Sequence, residues 1–188
     1  APPPPSSRRS RPRGRDGGFT LIETALATVI VGVGVLAIVA AQQAFHQQNS
    51  WSTHASIAER LGNEVREMTL NLPRHDPVTG QEFWGPEPNE TSWVDYDDLD
   101  DFDGSAGSGL VFSAELGNGP INARREIIAN MDGWSQEVYV TNVDPFDITV
   151  DAADGSTSMI RVDVVVMFQS PGATEAEEMT RVSWIAPN

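Results

Sequence analysis

The chain has 188 residues, 12 basic against 27 acidic side chains, a formal net charge of −15 and no cysteine. So large an acidic excess excludes nucleic acid as the main partner, because such binding rests on lysine and arginine neutralising phosphates. The lack of cysteine excludes disulfides, thiolate metal sites and cysteine nucleophiles, and the length suits one domain with an appendage.

The N-terminal region changes character abruptly after residue 18. Residues 1–18, APPPPSSRRSRPRGRDGG, are basic and rich in proline, which predicts a disordered leader. Residues 19–41, FTLIETALATVIVGVGVLAIVAA, are almost entirely apolar. As a helix they would span about 34 Å, enough to cross a hydrocarbon core of about 30 Å. The arginines before the segment and the acids after it predict a single-pass anchor with a cytoplasmic N-terminus.

Helical periodicity continues beyond the apolar segment. Over residues 51–72 the apolar side chains are spaced by three and four: Ala58, Leu61, Val65, Met68 and Leu72. Within segment 19–72 we predict one helix from about Thr20 to Leu72, ended by Pro73, with 19–41 in the membrane and the rest packed on a soluble domain. Gly32, Gly34 and Gly62 are its expected soft points, since glycine costs about 1 kcal/mol relative to alanine.

Residues 73–188 are predicted to form a globular domain with a small β-sheet. Five strands are expected, at residues 109–113, 137–143, 146–150, 159–168 and 179–185. The last two are separated by a Pro171-Gly172 turn, and Asp154-Gly155 suits a connection between neighbouring antiparallel strands. Residues 73–108 contain few apolar side chains and read as a long irregular loop. The predicted fold class is therefore α+β, a long N-terminal helix on a small antiparallel sheet.

An acidic stretch, DYDDLDDFDG, occupies residues 95–104 of that loop. Its candidate site residues are Asp97, Asp98, Asp100, Asp101 and Asp103. Clustered loop carboxylates can supply the six to eight oxygens that calcium takes, although the spacing does not match an EF-hand loop. Two interpretations stay open: a solvated acidic loop, and a calcium or partner-docking site. Calcium is the one candidate cofactor that the sequence indicates.

Catalytic chemistry finds little support in the sequence. The three histidines, His46, His54 and His75, are too scattered for a zinc site, and no serine lies in a recognisable nucleophile elbow. We predict no catalytic residues and no enzyme activity.

The stretch GGFTLIE, residues 17–23, follows a basic leader and opens a long apolar helix. In this it resembles the type IV pilin and type II secretion pseudopilin superfamily, and the layout of helix then sheet extends the likeness loosely along the chain. The resemblance implies that a prepilin peptidase cuts after Gly18 and methylates the new amine of Phe19. It also implies that Glu23 matters during assembly. A carboxylate in the bilayer is costly unless it is paired, so we expect Glu23 to pair with the Phe19 amine of a neighbouring subunit and set the axial register. The alternative is a Glu23 side chain that extends to the cytoplasmic interface.

The resemblance further implies a pilin-like fold, a place in the bacterial inner membrane with the C-terminal domain in the periplasm, and later a place in a filament or at its tip. The expected partners are the peptidase, other pilin or pseudopilin subunits, an inner-membrane assembly platform and membrane lipid. Many major pilins carry a mid-helix proline and a C-terminal disulfide, both missing here, which favours a minor pilin or a pseudopilin. The acidic stretch also resembles one in minor pilins related to the mannose-sensitive haemagglutinin pilus.

Two rival functions stay open at this stage. One is a membrane-anchored binding or adhesion domain that never polymerises and would tolerate Glu23→Ala. The other is a secreted hydrolase, which would need cleavage near Ala41 and a catalytic pocket within residues 73–188.

Overall fold

The computed structural model describes residues 18–78, 80, 84–104 and 107–186. Apart from Gly18, the predicted leader lies outside the described residues. The residues up to Gln48 form one compact unit, and those from Asn49 form a second.

A single helix, α1, covers Leu21–Thr69. Every residue from Gly18 to Thr53 is exposed, including the whole predicted membrane segment. By length and composition, α1 could cross a membrane, and none of its most apolar stretch is buried. An apolar helix surface without protein contacts is the arrangement that a lipid or protein neighbour would cover.

The C-terminal part of α1 packs on the sheet of the second unit. Its buried residues are Ala58, Leu61, Gly62, Val65, Met68 and Thr69, which confirms the predicted apolar stripe. The helix ends three residues before the predicted Leu72. There the chain tightens, since the Leu72 amide donates to the Thr69 carbonyl, as expected just before a proline.

The sheet has five antiparallel strands. Their bounds are β1 Leu110–Ser113, β2 Trp134–Asp144, β3 Asp147–Asp151, β4 Ile160–Phe168 and β5 Glu177–Ile185. The strand order is β1-β2-β4-β5, and β3 pairs with the C-terminal end of β2. The predicted α+β fold class is confirmed, and all five predicted strands are present.

One face of the sheet forms the core with α1. In β4 the alternating residues Ile160, Val162, Val164 and Val166 are buried, as their period of two predicts. Val138 and Val182 flank Val164 in register on the two neighbouring strands. The helix stripe covers this face, and Phe112 of β1 and Trp134 of β2 complete the core. The structure thus has two layers around one core.

Two local expectations were wrong. Asp154-Gly155 does not join neighbouring strands, because β3 and β4 pair with β2 and not with each other. The Gly155 amide instead donates to Oδ1 of Asn142. Gly62 is a close-packing position and not a soft point, since a Cβ built there would lie 2.6 Å from Cγ2 of Val182.

Candidate functional site

The first candidate site is the N-terminal end of α1, where the sequence predicted processing and assembly. Thr20 caps the helix: its carbonyl accepts from the amides of Glu23 and Thr24, and its Oγ1 lies 3.4 Å from the Glu23 amide. Glu23 therefore stands at the third helical position of a Thr-x-x-Glu sequence, the pattern of a capping box, of which the Thr20 half is formed. A carboxylate there also complements the positive end of the helix dipole.

Phe19 and Glu23 both lie on the exposed surface of the first unit. The Phe19 side chain is 81% exposed, and no ion pair in the described part of the chain involves Glu23. The structure thus brings Gly18, Phe19 and Glu23 together at one helix terminus. Their predicted roles in cleavage, methylation and register stay predictions.

The second candidate site is the acidic stretch, which is buried from Asp98 to Gly104 and exposed at Asp95 and Asp97. Tyr96, Leu99 and Phe102 recur at a spacing of three, and Phe102 lies in a short 3₁₀ helix, Asp100–Asp103. Leu99 and Phe102 are fully buried, and the Tyr96 ring packs edge-on against Phe102. Leu99, at the N-cap of this 3₁₀ helix, and Phe102 within it are three residues apart and therefore share one face of the turn. Burying that face carries Asp98, Asp100, Asp101 and Asp103 inward, so the solvated-loop interpretation is wrong for these four aspartates and holds for the exposed Asp97.

Asp98 and Asp101 hold each other's backbone in place. Oδ1 of Asp98 accepts from the amides of Asp100 (3.0 Å) and Asp101 (3.3 Å). Oδ2 of Asp101 accepts from the amides of Asp97 (3.0 Å) and Asp98 (3.2 Å). Each carboxylate therefore has one oxygen fixed by backbone donors. The other oxygens, Asp98 Oδ2 and Asp101 Oδ1, are buried with no hydrogen-bond partner among the described residues.

Asp100 and Asp103 make different contacts. Oδ2 of Asp100 lies 2.5 Å from Nδ1 of His75. Asp103 accepts from Nε1 of Trp84 at 2.9 Å and from the Val140 amide of β2 at 3.4 Å. These two aspartates attach the turn to the preceding loop and to the sheet. Of the five predicted site residues, Asp100 and Asp103 therefore have structural roles.

Two glutamates join the cluster from an earlier part of the loop. One carboxylate oxygen from each of Glu87, Asp98 and Asp101 lies within 4.8 Å of the others, and Glu90, Asp97 and Asp101 form a second such group. Glu87 is buried, and Oε2 of Glu90 accepts from the Glu87 amide. Neither glutamate could be placed from the sequence, because an irregular loop has no periodicity that would bring residue 87 beside residue 98.

Burial changes the acid strength of these groups. It raises the pKa of Asp98 to about 8 and that of Asp101 to about 6. It also raises the pKa of Asp100 and of Glu90 to about 7, and lowers the pKa of the partly buried His75. Removing a charged form from water without full compensation is the common cause. The cluster can thus lower its charge by taking up protons or a cation.

Comparison with protein-family models, with curated proteins and with solved structures finds no match to this chain. The long apolar helix packed through its second half on an antiparallel sheet is compatible with a pilin-like architecture. The family resemblance therefore rests on the motif at residues 17–23 and on this layout.

Proposed function

We propose that this chain is a minor pilin or pseudopilin, a structural subunit of a type IV pilus or a type II secretion filament and not an enzyme. The observation that supports this proposal is the position of the GGFTLIE motif, residues 17–23, in the chain. It stands at the entry of a helix whose first 33 residues are all exposed and mostly apolar, while the later part of the same helix is buried by the sheet. One helix thus offers an assembly surface and an attachment to its own domain.

Processing would create the missing partner of Glu23. Cleavage between Gly18 and Phe19 leaves a charged amine at Phe19, four residues from Glu23 in the same segment. A carboxylate at membrane depth is costly unless it is paired. In a bundle of such helices the Glu23 carboxylate of one subunit would meet the Phe19 ammonium of the next, which fixes the axial register.

Apolar packing would hold the bundle together. The exposed side chains include Leu26, Val29, Val33 and Leu36, and Gly32 and Gly34 have nothing within 4 Å of a built Cβ. Small residues allow close approach of neighbouring helices in a membrane. The proposed partners are a prepilin peptidase, other pilin or pseudopilin subunits, an inner-membrane assembly platform and lipid, with the globular domain in the periplasm.

A second function, a membrane-anchored binding domain that does not polymerise, is favoured by one observation. Glu23 is the acidic residue in the first turn of α1, where a carboxylate complements the positive end of the helix dipole. Under that function Glu23 needs no neighbouring subunit, and the leader need not be removed.

The test is mass analysis of the N-terminus after extraction of the full chain from membranes of a strain with a prepilin peptidase. We expect a chain that begins at methylated Phe19. A Gly18→Val variant should not be cleaved and should keep the leader. The matched control, Gly14→Val, changes a glycine away from the cleavage site and should be cleaved as the unaltered chain is. An intact leader on the unaltered chain, or a cut near Ala41, would overturn the proposal.

A further inference from the structure

We propose that Glu87, Asp98 and Asp101 hold a calcium ion, with Glu90 and Asp97 completing the site at its solvent side. Neither the helix motif nor the proposed assembly role requires such a site, so this inference stands independently of leader cleavage. It is carried by two observations: Asp98 and Asp101 each have a buried carboxylate oxygen without a hydrogen-bond partner among the described residues, and each side chain places an oxygen within 4.8 Å of one from Glu87.

The unpartnered oxygens belong to fully buried side chains. Asp98 and Asp101 are both 0% exposed, yet Oδ2 of Asp98 and Oδ1 of Asp101 accept no hydrogen bond from the described residues. Buried polar atoms are normally hydrogen-bonded, and an orphaned charged acceptor is among the most costly of exceptions. Two such oxygens in side chains three residues apart indicate a common missing partner.

The backbone holds these carboxylates in position. Two amides donate to one oxygen of Asp98 and two donate to one oxygen of Asp101. Hydrogen bonds to one oxygen of a carboxylate fix the direction of the other, as outer-shell donors do around known metal ligands. The ligand atoms are therefore held in place by the fold itself.

Asp98 and Asp101 have no cationic partner among the described residues. No ion pair there involves either side chain, and His75, whose pKa is lowered by burial, contacts Asp100 instead. Adjacent buried carboxylates repel, and a divalent cation removes this repulsion while supplying the missing contacts.

The donor chemistry favours calcium among divalent cations. All candidate ligands are carboxylate oxygens, which hard cations prefer, and no cysteine exists in the sequence to recruit a softer metal. Two oxygens bound to one calcium ion at about 2.3–2.6 Å can stand up to about 5 Å apart, and those of Glu87, Asp98 and Asp101 lie within 4.8 Å of one another. Magnesium requires shorter bonds and near-ideal octahedral geometry.

A bound ion would join two separate parts of the loop. It would link Glu87 and Glu90 to the turn that carries Leu99 and Phe102 into the core. Calcium should therefore stabilise the globular domain, in addition to neutralising the charge of the carboxylates that bind it.

The experiment uses the full chain in detergent, stripped with EGTA and then heated with and without millimolar calcium. Calcium is expected to raise the Tm by several degrees, on the order of 5 °C for a site of the affinity usual in extracellular modules. The same concentration of magnesium should give a smaller rise. An unchanged Tm with calcium, or an equal rise with magnesium, would overturn the calcium assignment.

Variants locate the effect. Asp98→Asn and Asp101→Asn each keep an oxygen for the backbone amides but remove a charged ligand, and both should lose most of the calcium-induced rise. Asp95→Asn, an exposed aspartate of the same stretch, is the matched control and should keep it. A calcium response that survives in both site variants would overturn the proposal.

A binding measurement on the unaltered chain covers the case in which the variants do not fold. Terbium should give sensitised luminescence through Tyr96, whose pKa is raised by burial and by the nearby Asp101 and Glu90 charges. Calcium should displace the terbium, and Tyr96→Phe should weaken the luminescence. Terbium luminescence that calcium does not displace would contradict a calcium site.

Discussion

The side-chain amide of Gln136 in β2 donates a hydrogen bond of 2.8 Å to the backbone carbonyl of Leu61 in α1. The same Nε2 donates to the Ile121 carbonyl, and Oε1 accepts from the Ile121 amide. Gln136 is fully buried. A single side chain thus connects the helix, the sheet and the loop before β2, with all its polar atoms satisfied.

Gln136→Leu should destabilise the domain. The change keeps the side chain's approximate size but leaves the Ile121 amide buried without its acceptor, and a buried unsatisfied group costs about 1–3 kcal/mol. We expect a loss of about 2 kcal/mol in the free energy of unfolding, measured by denaturant titration. Gln48→Leu, at an exposed position of α1, should change stability by less than about 0.5 kcal/mol. Equal effects of the two changes would contradict this role.

Gly62→Ala should also destabilise, against the usual preference of helices for alanine. The new methyl group would lie 2.6 Å from Cγ2 of Val182 and 3.7 Å from Cγ2 of Val166. Overpacking costs about 1–3 kcal/mol, which outweighs a helix gain of about 1 kcal/mol. The expected result is a Tm lower by a few degrees.

Two further variants isolate the contact of Gly62. Gly34→Ala, with open space at its Cβ, should not lower the Tm. Adding Val182→Ala to Gly62→Ala should recover part of the loss by making room. A Gly62→Ala protein as stable as the unaltered chain would show that the helix and β5 separate easily.

Glu23 offers a test of assembly against capping. If Glu23 pairs with a neighbouring amine, both Glu23→Ala and Glu23→Gln should reduce incorporation into sheared filaments by at least about tenfold, since both remove the charge. If Glu23 acts only in the capping box, glutamine should serve as well. Glu59→Gln, exposed on the same helix, is the control. Normal assembly of Glu23→Gln would reject the register role.

The pH dependence of stability follows from the raised carboxyl pKa values in the absence of calcium. Burial raises the pKa of Asp98 to about 8 and of Asp101 to about 6, with Asp100, Glu87 and Glu90 as charged neighbours. The folded state therefore binds more protons than the unfolded state between about pH 4 and pH 8, and stability falls as pH rises through this range.

Thermal unfolding in EGTA from pH 5 to pH 8 checks that pH dependence. The Tm should fall over this interval, and the fall should be smaller in a protein carrying Asp98→Asn and Asp101→Asn together. Asp95→Asn should behave as the unaltered chain does. A Tm that rises towards pH 8 without calcium would contradict the buried, partly protonated state.

Regular elements could be predicted because their periodicity reflects burial directly. The alternation in β4 and the three-and-four spacing from Ala58 to Met68 each mark one buried face. Helix and strand ends were less certain, as the last turn of α1 shows. The pairing of β3 with β2 was not predicted, because a turn residue such as Gly155 does not determine which strands pair on either side of the turn.

The candidate cation site was only partly predictable. The acidic stretch was visible, and the spacing of Tyr96, Leu99 and Phe102 could have indicated its burial. The separation of ligands from structural aspartates depends on contacts made within a tight turn: Asp100 contacts His75, whereas Asp101 accepts from the amides of Asp97 and Asp98. Glu87 reaches the cluster through an irregular loop, and no sequence pattern encodes that path.

Apolar and acidic side chains alternate within one short turn, so neither set can enter the interior without the other. Whatever changes the charge of Asp98 and Asp101, whether acidity or a divalent cation, must also change how firmly Leu99 and Phe102 stay in the core. The packing of this domain is for that reason thermodynamically linked to the ionic composition of the fluid around it.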